Sequence, residues 1–268
     1  MDYTDRHYLD IVNAAKIYPT KYGPFVVLKE FNLTVPVNTF TCLIGHSGCG
    51  KSTILTMVAG LNDISEGNIC LDGKEINGAG PDRAVVFQSP SLLPWLSAFD
   101  NVLLGVRQVM PNASKAQQHE AVERALEDVG LKDAMQKKPK ELSQGMCQRV
   151  GIARAFALRP KLMLLDEPLG MLDALTKFEL QDLIARLHAE YELTTLMVTH
   201  DVDEALYLSD RIVMMTNGPL ARVGEILDND LPRPRIREDV LEHTNYYRYR
   251  EQLITFLEEQ DEKKRKAS

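Results

Sequence analysis

The sequence predicts an α/β fold, a mostly parallel sheet with helices on both faces. Two observations carry this expectation. Short apolar runs of strand character alternate with stretches of helical period, and one junction between them is a glycine-rich turn, "GHSGCGKST" at Gly45 to Thr53, between "TFTCLI" and "KSTILTMVAGL". A second run, "KLMLLDEP" (Lys161 to Pro168), is continuously apolar and ends in two carboxylates, as expected of a strand buried on both faces.

Along the chain, "LDIVNAAKIY", "VVLKEFNLTV" and "TFTCLIG" are apolar runs bounded by turn residues and are expected as strands. After Gly50 the apolar positions fall at helical spacing. From Ser89 to about Val150 the chain is expected to be helical. Within that stretch "KAQQHEAVERALEDVGL" sets Ala121, Ala125 and Val129 beside Val122 and Leu126, and Gly130 closes the helix. "FELQDLIARLHAEY" has Leu180, Leu183, Ile184 and Leu187 at i, i+3, i+4 and i+7, a helix, and "TTLMVTH" is another buried strand. Asn217-Gly218 within "RIVMMTNGPLARVG" predicts a hairpin. Past Leu231 the composition shifts to "PRPRIRED", then to a helix with Leu253, Phe256 and Leu257 on one side, and "DEKKRKAS" is expected as a frayed tail. The expected organisation is a main domain over residues 1–230, with a helical subdomain at about 89–150, and a C-terminal extension over 231–268.

The net charge of −7 argues against a chain that coats nucleic acid, a role that needs a basic face. Cys42, Cys49, Cys70 and Cys147 form no CxxC pair and no metal-ligand spacing, so they are expected as reduced thiols that pack like small hydrophobes. No apolar stretch approaches the ~20 residues that span a bilayer. The amino end "MDYTDRHYLD" is too charged for a signal peptide, so the chain is expected to stay in the cytoplasm. Arg233, Arg235 and Arg237 are expected to pin the C-terminal segment to acidic groups, and "KKRK" to be solvated.

In the glycine-rich turn, Gly45, Gly48 and Gly50 let the backbone curl so that N–H groups point inward at the positive end of the following helix, a ring of donors suited to a polyphosphate. His46, Ser47, Cys49 and Thr53 complete this loop. Lys51 supplies a point charge to the β/γ-phosphates and Ser52 a hydroxyl for Mg²⁺. Asp166, at the carboxyl end of its strand, can hold a metal-bound water, and Glu167 can orient the attacking water and accept its proton. Gln88 ends the strand-like "RAVVF" and can contact the metal or that water, while His200 ends "TTLMVT" and can reach the γ-phosphate. Each is unremarkable alone; their common position at strand ends is what makes them candidates.

"ELSQGMCQR" (Glu141 to Arg149) is a second helix start of the kind that binds an anion, although the chain has only one complete phosphate cradle. Taken together, "GHSGCGKST", Gln88, "LSQGMCQR", "LMLLDEP", "GMLD" and "VTHD" resemble, in order and spacing, the ATP-binding cassette (ABC) ATPases. The resemblance spans about 200 residues and its combination of motifs is highly specific. It implies a P-loop NTPase of the ABC nucleotide-binding type, with an N-terminal antiparallel β subdomain, a mostly parallel core sheet and an inserted helical subdomain, using ATP and Mg²⁺. It further implies that Ser143 and Gly145 close over the γ-phosphate bound by a second, head-to-tail subunit, with Gln144 between them and Asp173 across the same interface. The family's usual signature has glycine where this chain has Gln144, whose side chain is then expected to point away from the nucleotide. The family stacks adenine on an upstream aromatic residue, here Tyr18, with Tyr22 as the alternative.

"GMLDALTKFELQDL", "VTHDVDEALYLSDRIVMMTNGP" and the tail "LPRPRIREDV" look closest to the importer ATPases for nitrate and for its bicarbonate and cyanate relatives, with the sulfonate and taurine importers near by. That branch implies transmembrane permease subunits, a substrate-binding protein, a second ATPase subunit that can be a longer chain with a solute-binding-like domain, and a peripheral place on the cytoplasmic face of the membrane. The family docks helices of its membrane subunits near "SPSLLPWLSAFDNVLLGV", which carries Trp95. A chromosome-organising ABC ATPase would need a long coiled coil between the P-loop and the signature, and no sustained heptads lie there. An ATPase of iron–sulfur cluster assembly matches in length but not in "LSQGMCQR" or the tail, and a simple P-loop kinase has no use for the segment at Ser143.

Overall fold

The computed structural model describes residues 7–267. Strands β1 (His7–Thr20), β2 (Gly23–Pro36) and β3 (Phe40–Ile44) come first, followed by helix α1 (Lys51–Val58) and the short strands β4 (Glu66–Leu71), β5 (Lys74–Glu75) and β6 (Arg83–Val86). Three helices follow, α2 (Ala98–Val109), α3 (Lys115–Asp128) and α4 (Gln144–Phe156). The carboxyl half alternates β7 (Leu162–Asp166), α5 (Ala174–Glu190), β8 (Thr194–Thr199), α6 (Val202–Leu208), β9 (Arg211–Met215) and β10 (Val223–Asp228), then ends in α7 (Arg237–Glu242) and α8 (Thr244–Ala267). These elements gather into two compact units, one formed by residues up to 79 with those from 188 onward, the other by residues 80–187.

The first unit contains an antiparallel sheet of order β2-β1-β4-β5. Alternation along β1 and β2 buries Leu9, Ile11, Leu33 and Val35 on one face. The β1–β2 register slips between Ile11 and Ala14, where Asn13 takes a left-handed φ of 48° and its N–H donates to Asn32 Oδ1 at 2.9 Å. The same unit contains β3 flanked on both sides by parallel neighbours, β8 and β9. Every residue of β3 and β8 is buried, which is why these segments read as near-continuous apolar runs without alternation. Strand β10 returns antiparallel to β9, so the hairpin expected from Asn217-Gly218 forms.

Helix α8 buries Leu253 and Phe256, as its apolar spacing requires. It does not fray at "DEKKRKA" as expected but runs to Ala267. The physical reason lies in charge placement: Glu259–Lys263 and Glu262–Lys266 are i,i+4 pairs at 3.8 and 3.6 Å, and the basic last turn complements the helix dipole. Arg233 and Arg235 do pin the chain ahead of α7. Arg233 Nε meets Asp210 Oδ1 at 2.6 Å, and the buried Arg235 donates to the carbonyls of Leu206, Tyr207 and Ser209.

The second unit contains the parallel pair β6–β7 and the helices α2 to α4 with most of α5. Helix α2 starts at Ala98 and not at Ser89, because Pro90 and Pro94 disfavour helix before them and Ser97 supplies the cap, accepting from Asp100 N–H at 3.0 Å. The segment ahead of it leaves Trp95 66% exposed. Helix α3 opens with a capping box between Ser114 and Gln117 and ends before Gly130, whose φ of 75° terminates it. Among the described residues, no helix is long and apolar enough to cross a membrane.

Candidate functional site

The glycine-rich turn follows β3 and leads directly into α1. Gly48 and Gly50 adopt φ of 81° and 101°, and a side chain at Gly50 would come within 2.9 Å of Leu28 Cδ2. Glycine is thus required there by conformation and by space. Gly45 is equally enclosed, since a Cβ would lie 2.9 Å from Cys49 Sγ. Lys51 is buried, and its ammonium donates to the carbonyl oxygens of Gly45 at 2.7 Å and His46 at 3.1 Å, so the loop curls around its own lysine. Ser47 and Ser52 are exposed and Thr53 is half-buried at the first turn of α1. Cys42 and Cys49 are buried with their thiols pushed up by desolvation, the behaviour of packing groups.

Parallel pairing sets His200 beside this loop. Ile44 is the register partner of Thr199, so Gly45 and His200 are the next residues to leave two neighbouring strands. The turn at His200 is fastened on both sides. Asp201 N–H donates to Thr199 Oγ1 at 3.1 Å, Thr199 Oγ1 donates to the buried Glu204 carboxylate, and Glu204 N–H donates to Asp201 Oδ1 at 2.9 Å, capping α6. Sequence reasoning stopped at His200 and missed Glu204, although Asp201-x-x-Glu204 has the spacing of a helix cap. Tyr18 lies near the end of β1 with its hydroxyl accepting from Asn62 Nδ2 at 2.9 Å and Lys16 Nζ over its ring, whereas Tyr22 is fully exposed at the β1–β2 turn.

In the second unit, Val86 pairs with Leu165, which brings Gln88 and Glu167 out at neighbouring strand ends. Gln88 Nε2 is 3.2 Å and Glu167 Oε2 is 3.8 Å from the position a Cβ would occupy on Gly170, whose N–H donates to Glu167 O at 3.2 Å. Gly170 thus leaves room for both side chains. Glu167 itself holds a φ of 44°, an uncommon conformation for a side chain of its size and one that recurs at functional positions. Asp166, the last residue of β7, is half-buried.

Ser143 caps α4 in the same unit, its hydroxyl accepting from Met146 N–H at 3.2 Å, and Gln144 beside it is exposed. A Cβ on Gly145 would fall 2.5 Å from Thr176 Cγ2. Thr176 in turn is bound to Asp173, through its N–H to Oδ1 at 3.1 Å and its hydroxyl to Oδ2 at 2.7 Å, and the Thr176 hydroxyl holds the Asp173 carboxyl below its usual range. The structure therefore joins Gly145 and Asp173 through Thr176, a residue no sequence motif singled out.

The candidate oxygen donors, the Ser52 hydroxyl, the Asp166 carboxylate and the Gln88 amide, are hard ligands of the type Mg²⁺ selects. Among the described residues no group of three His, Cys, Asp or Glu side chains could hold a metal ion.

Residues 28–170 match the family model described as "ABC transporter". The chain is 51% identical over 250 residues, 93% of its length and 90% of the relative's, to a bicarbonate transport ATP-binding protein of Synechococcus elongatus. It is 50% identical to a nitrate import ATP-binding protein of the same organism, covering 90% of this chain and 88% of that one. Among solved structures, an ATP-binding cassette in a dimeric post-hydrolysis state bound to ADP and Pi matches with a TM-score of 0.74 and 30% identity, over 82% of this chain and 98% of the other.

Proposed function

The chain belongs to the ABC transporter family, and from that premise we propose that it is the ATP-hydrolysing subunit of an importer for a small planar oxyanion, nitrate or bicarbonate. Its ATP-binding and transport-coupled ATPase character rests on the family match. The observation that carries the mechanism is the paired emergence of Gln88 and Glu167 at the ends of β6 and β7. The oxyanion reading is supported by near-equal identity, over nine-tenths of the chain, to relatives named for nitrate and for bicarbonate. An ATPase of iron–sulfur cluster assembly is not favoured by those relatives.

In this reading the inward N–H groups of residues 45–53 and the Lys51 ammonium hold the phosphates, and Tyr18, tied by Asn62, stacks on adenine. Glu167 orients the attacking water and takes its proton as the water oxygen bonds to the γ-phosphorus and the bond from that phosphorus to the β–γ bridging oxygen breaks, ADP leaving with the bridging oxygen and phosphate released. Gln88 positions the water, and His200 contacts the γ-phosphate. Ser52, Gln88 and, through water, Asp166 would hold Mg²⁺, which would neutralise phosphate charge as it develops.

Ser143, Gln144, Gly145 and Asp173 serve the nucleotide of a second ATPase subunit. Met171 and Leu175, 58% and 75% exposed on either side of Asp173, give that face the apolar character of a surface that is covered in an assembly. Binding of two ATP molecules closes the pair, hydrolysis reopens it, and permease subunits docked near Trp95 receive the motion. The partner is a second copy or a longer ATPase, and the complex sits peripherally on the cytoplasmic face of the membrane with a substrate-binding protein supplying the anion. The test is uptake in cells lacking this chain, with labelled nitrate and labelled bicarbonate offered separately. Loss of one, restored by the intact chain but not by Glu167→Gln, supports the reading; unchanged uptake of both contradicts it.

A further inference from the structure

Helix α8 lies beyond residues 28–170, which carry the family match, yet it is bonded to the phosphate loop. His46, the second residue of the loop, directs its imidazole to α8, with Nε2 2.8 Å from the carbonyl oxygen of Leu257 and 3.5 Å from Asp261 Oδ1. A carbonyl only accepts, so Nε2 must carry the proton in this bond. One turn further along the same helix face, the Gln260 carbonyl accepts from Asn217 Nδ2 at 2.6 Å. The next residue, Gly218, abuts the loop itself: a Cβ there would lie 3.5 Å from Gly48 O and 3.9 Å from Cys49 Cα. Phe256 meets β10 so closely that a Cβ on Gly224 would be 2.6 Å from its ring, and Leu253 and Gln260 are buried alongside. The loop, the β9–β10 connection and α8 therefore form a closed triangle of contacts in which two α8 carbonyls accept bonds from side chains outside the helix.

We infer that His46 is a positioning residue through which docking of α8 sets the nucleotide affinity of the phosphate loop. The inference rests on the reading that this loop binds ATP. Bending the loop away from its cradle geometry requires breaking the His46 bond or shifting α8, so a docked helix disfavours loop conformations that bind phosphate poorly. Linkage makes the effect reciprocal: whatever factor α8 docking adds to ATP affinity, ATP adds to α8 docking. The outer face of α8, with Glu251, Glu258 and Glu259 exposed, is then a place from which nucleotide affinity can be adjusted without touching the site.

The experiment uses the full chain and measures binding of a fluorescent ATP analogue, the KM and kcat of hydrolysis, and amide hydrogen exchange of residues 253–262 with and without ATP. His46→Ala is expected to raise the Kd roughly fivefold, the weight of one hydrogen bond, with KM rising more than kcat falls. Asn217→Ala, outside the loop, is expected to weaken binding in the same direction. His46→Gln, whose amide can donate to Leu257 O, should recover most of the affinity. In the unaltered chain ATP should slow exchange in α8, and His46→Ala should abolish that slowing. An unchanged Kd in His46→Ala, no recovery in His46→Gln, or α8 exchange indifferent to ATP would each overturn the inference. Lys51→Ala separates the two claims: if it binds the analogue as well as the unaltered chain does, the nucleotide assignment of the loop is what fails.

Discussion

Val86 and Leu165 face each other across the parallel pair β6–β7, and through that one register Gln88 and Glu167 leave the sheet as neighbours. A slip of one residue would turn the shifted strand's side chains over and separate the two groups, so the buried apolar faces of the strands also fix the placement of these two candidate residues.

Glu167→Gln keeps the shape of the side chain and removes the carboxylate proposed as the base. Hydrolysis is expected to fall by about 10²–10⁴-fold with ATP binding retained. Single-turnover assays beside equilibrium binding of ATP check this; loss of binding in parallel with turnover would assign Glu167 to holding the nucleotide.

Gly145 is set against Thr176 Cγ2, where a Cβ would approach to 2.5 Å. Gly145→Ala should destabilise the chain by about 1–3 kcal/mol through overpacking. Thr176→Ser in the same chain deletes the clashing methyl but keeps the hydroxyl that donates to Asp173, and should restore most of the melting temperature. Thermal unfolding of the single and double variants measures it.

His188 is buried, bonded to Thr195 Oγ1 at 3.1 Å and edge-on to Phe40. Desolvation, helped by the nearby Arg233, lowers its pKa from 6.5 to about 4. The unfolded chain therefore binds the proton more readily than the folded one between these values. Stability from the neutral imidazole is full above about pH 6.5 and is lost as the pH falls towards 4, at most about 3 kcal/mol. Denaturant unfolding at pH 7.5 and 5 should show this loss, and His188→Gln should flatten it.

Arg235 gives the C-terminal segment its firmest hold, donating to Leu206, Tyr207 and Ser209 carbonyls at 2.7 to 3.1 Å. Arg235→Met leaves those buried acceptors without this donor and should cost about 3 kcal/mol, several degrees of melting temperature. Arg237→Ala, which removes the cation stacked 4.3 Å over the Tyr207 ring, should cost less than Arg235→Met, because it strips no donor from those buried carbonyls.

Which parts of this fold the sequence discloses follows from the range of the interactions involved. β3, β7 and β8 were legible because strands buried on both faces leave unbroken apolar runs, and the phosphate loop because its glycines are demanded locally by backbone angles. The short strands β4 and β5 were not, since β4 pairs with β1 more than 50 residues away and β5 is two exposed residues. Ser89 to Leu96, expected as part of a helical stretch, is not helical, because Pro90 and Pro94 disfavour helix in the residues before them. The partners of site residues stayed hidden for the same reason. Thr176 against Gly145, Asn62 on Tyr18 and Leu257 O on His46 are contacts between segments far apart in the chain, and nothing local to either partner announces them.

The central claim is that each ATP is turned over between the phosphate loop of one subunit and the Ser143 helix start of another. Two copies fused in tandem test it with Lys51→Ala and Ser143→Arg placed either in different halves or together in one half. If the sites are shared, lesions in different halves fall on a single nucleotide and leave the other site whole, so about half of the turnover survives, while both lesions in one half abolish it. The opposite pattern, activity surviving only when both lesions share a half, would contradict the account.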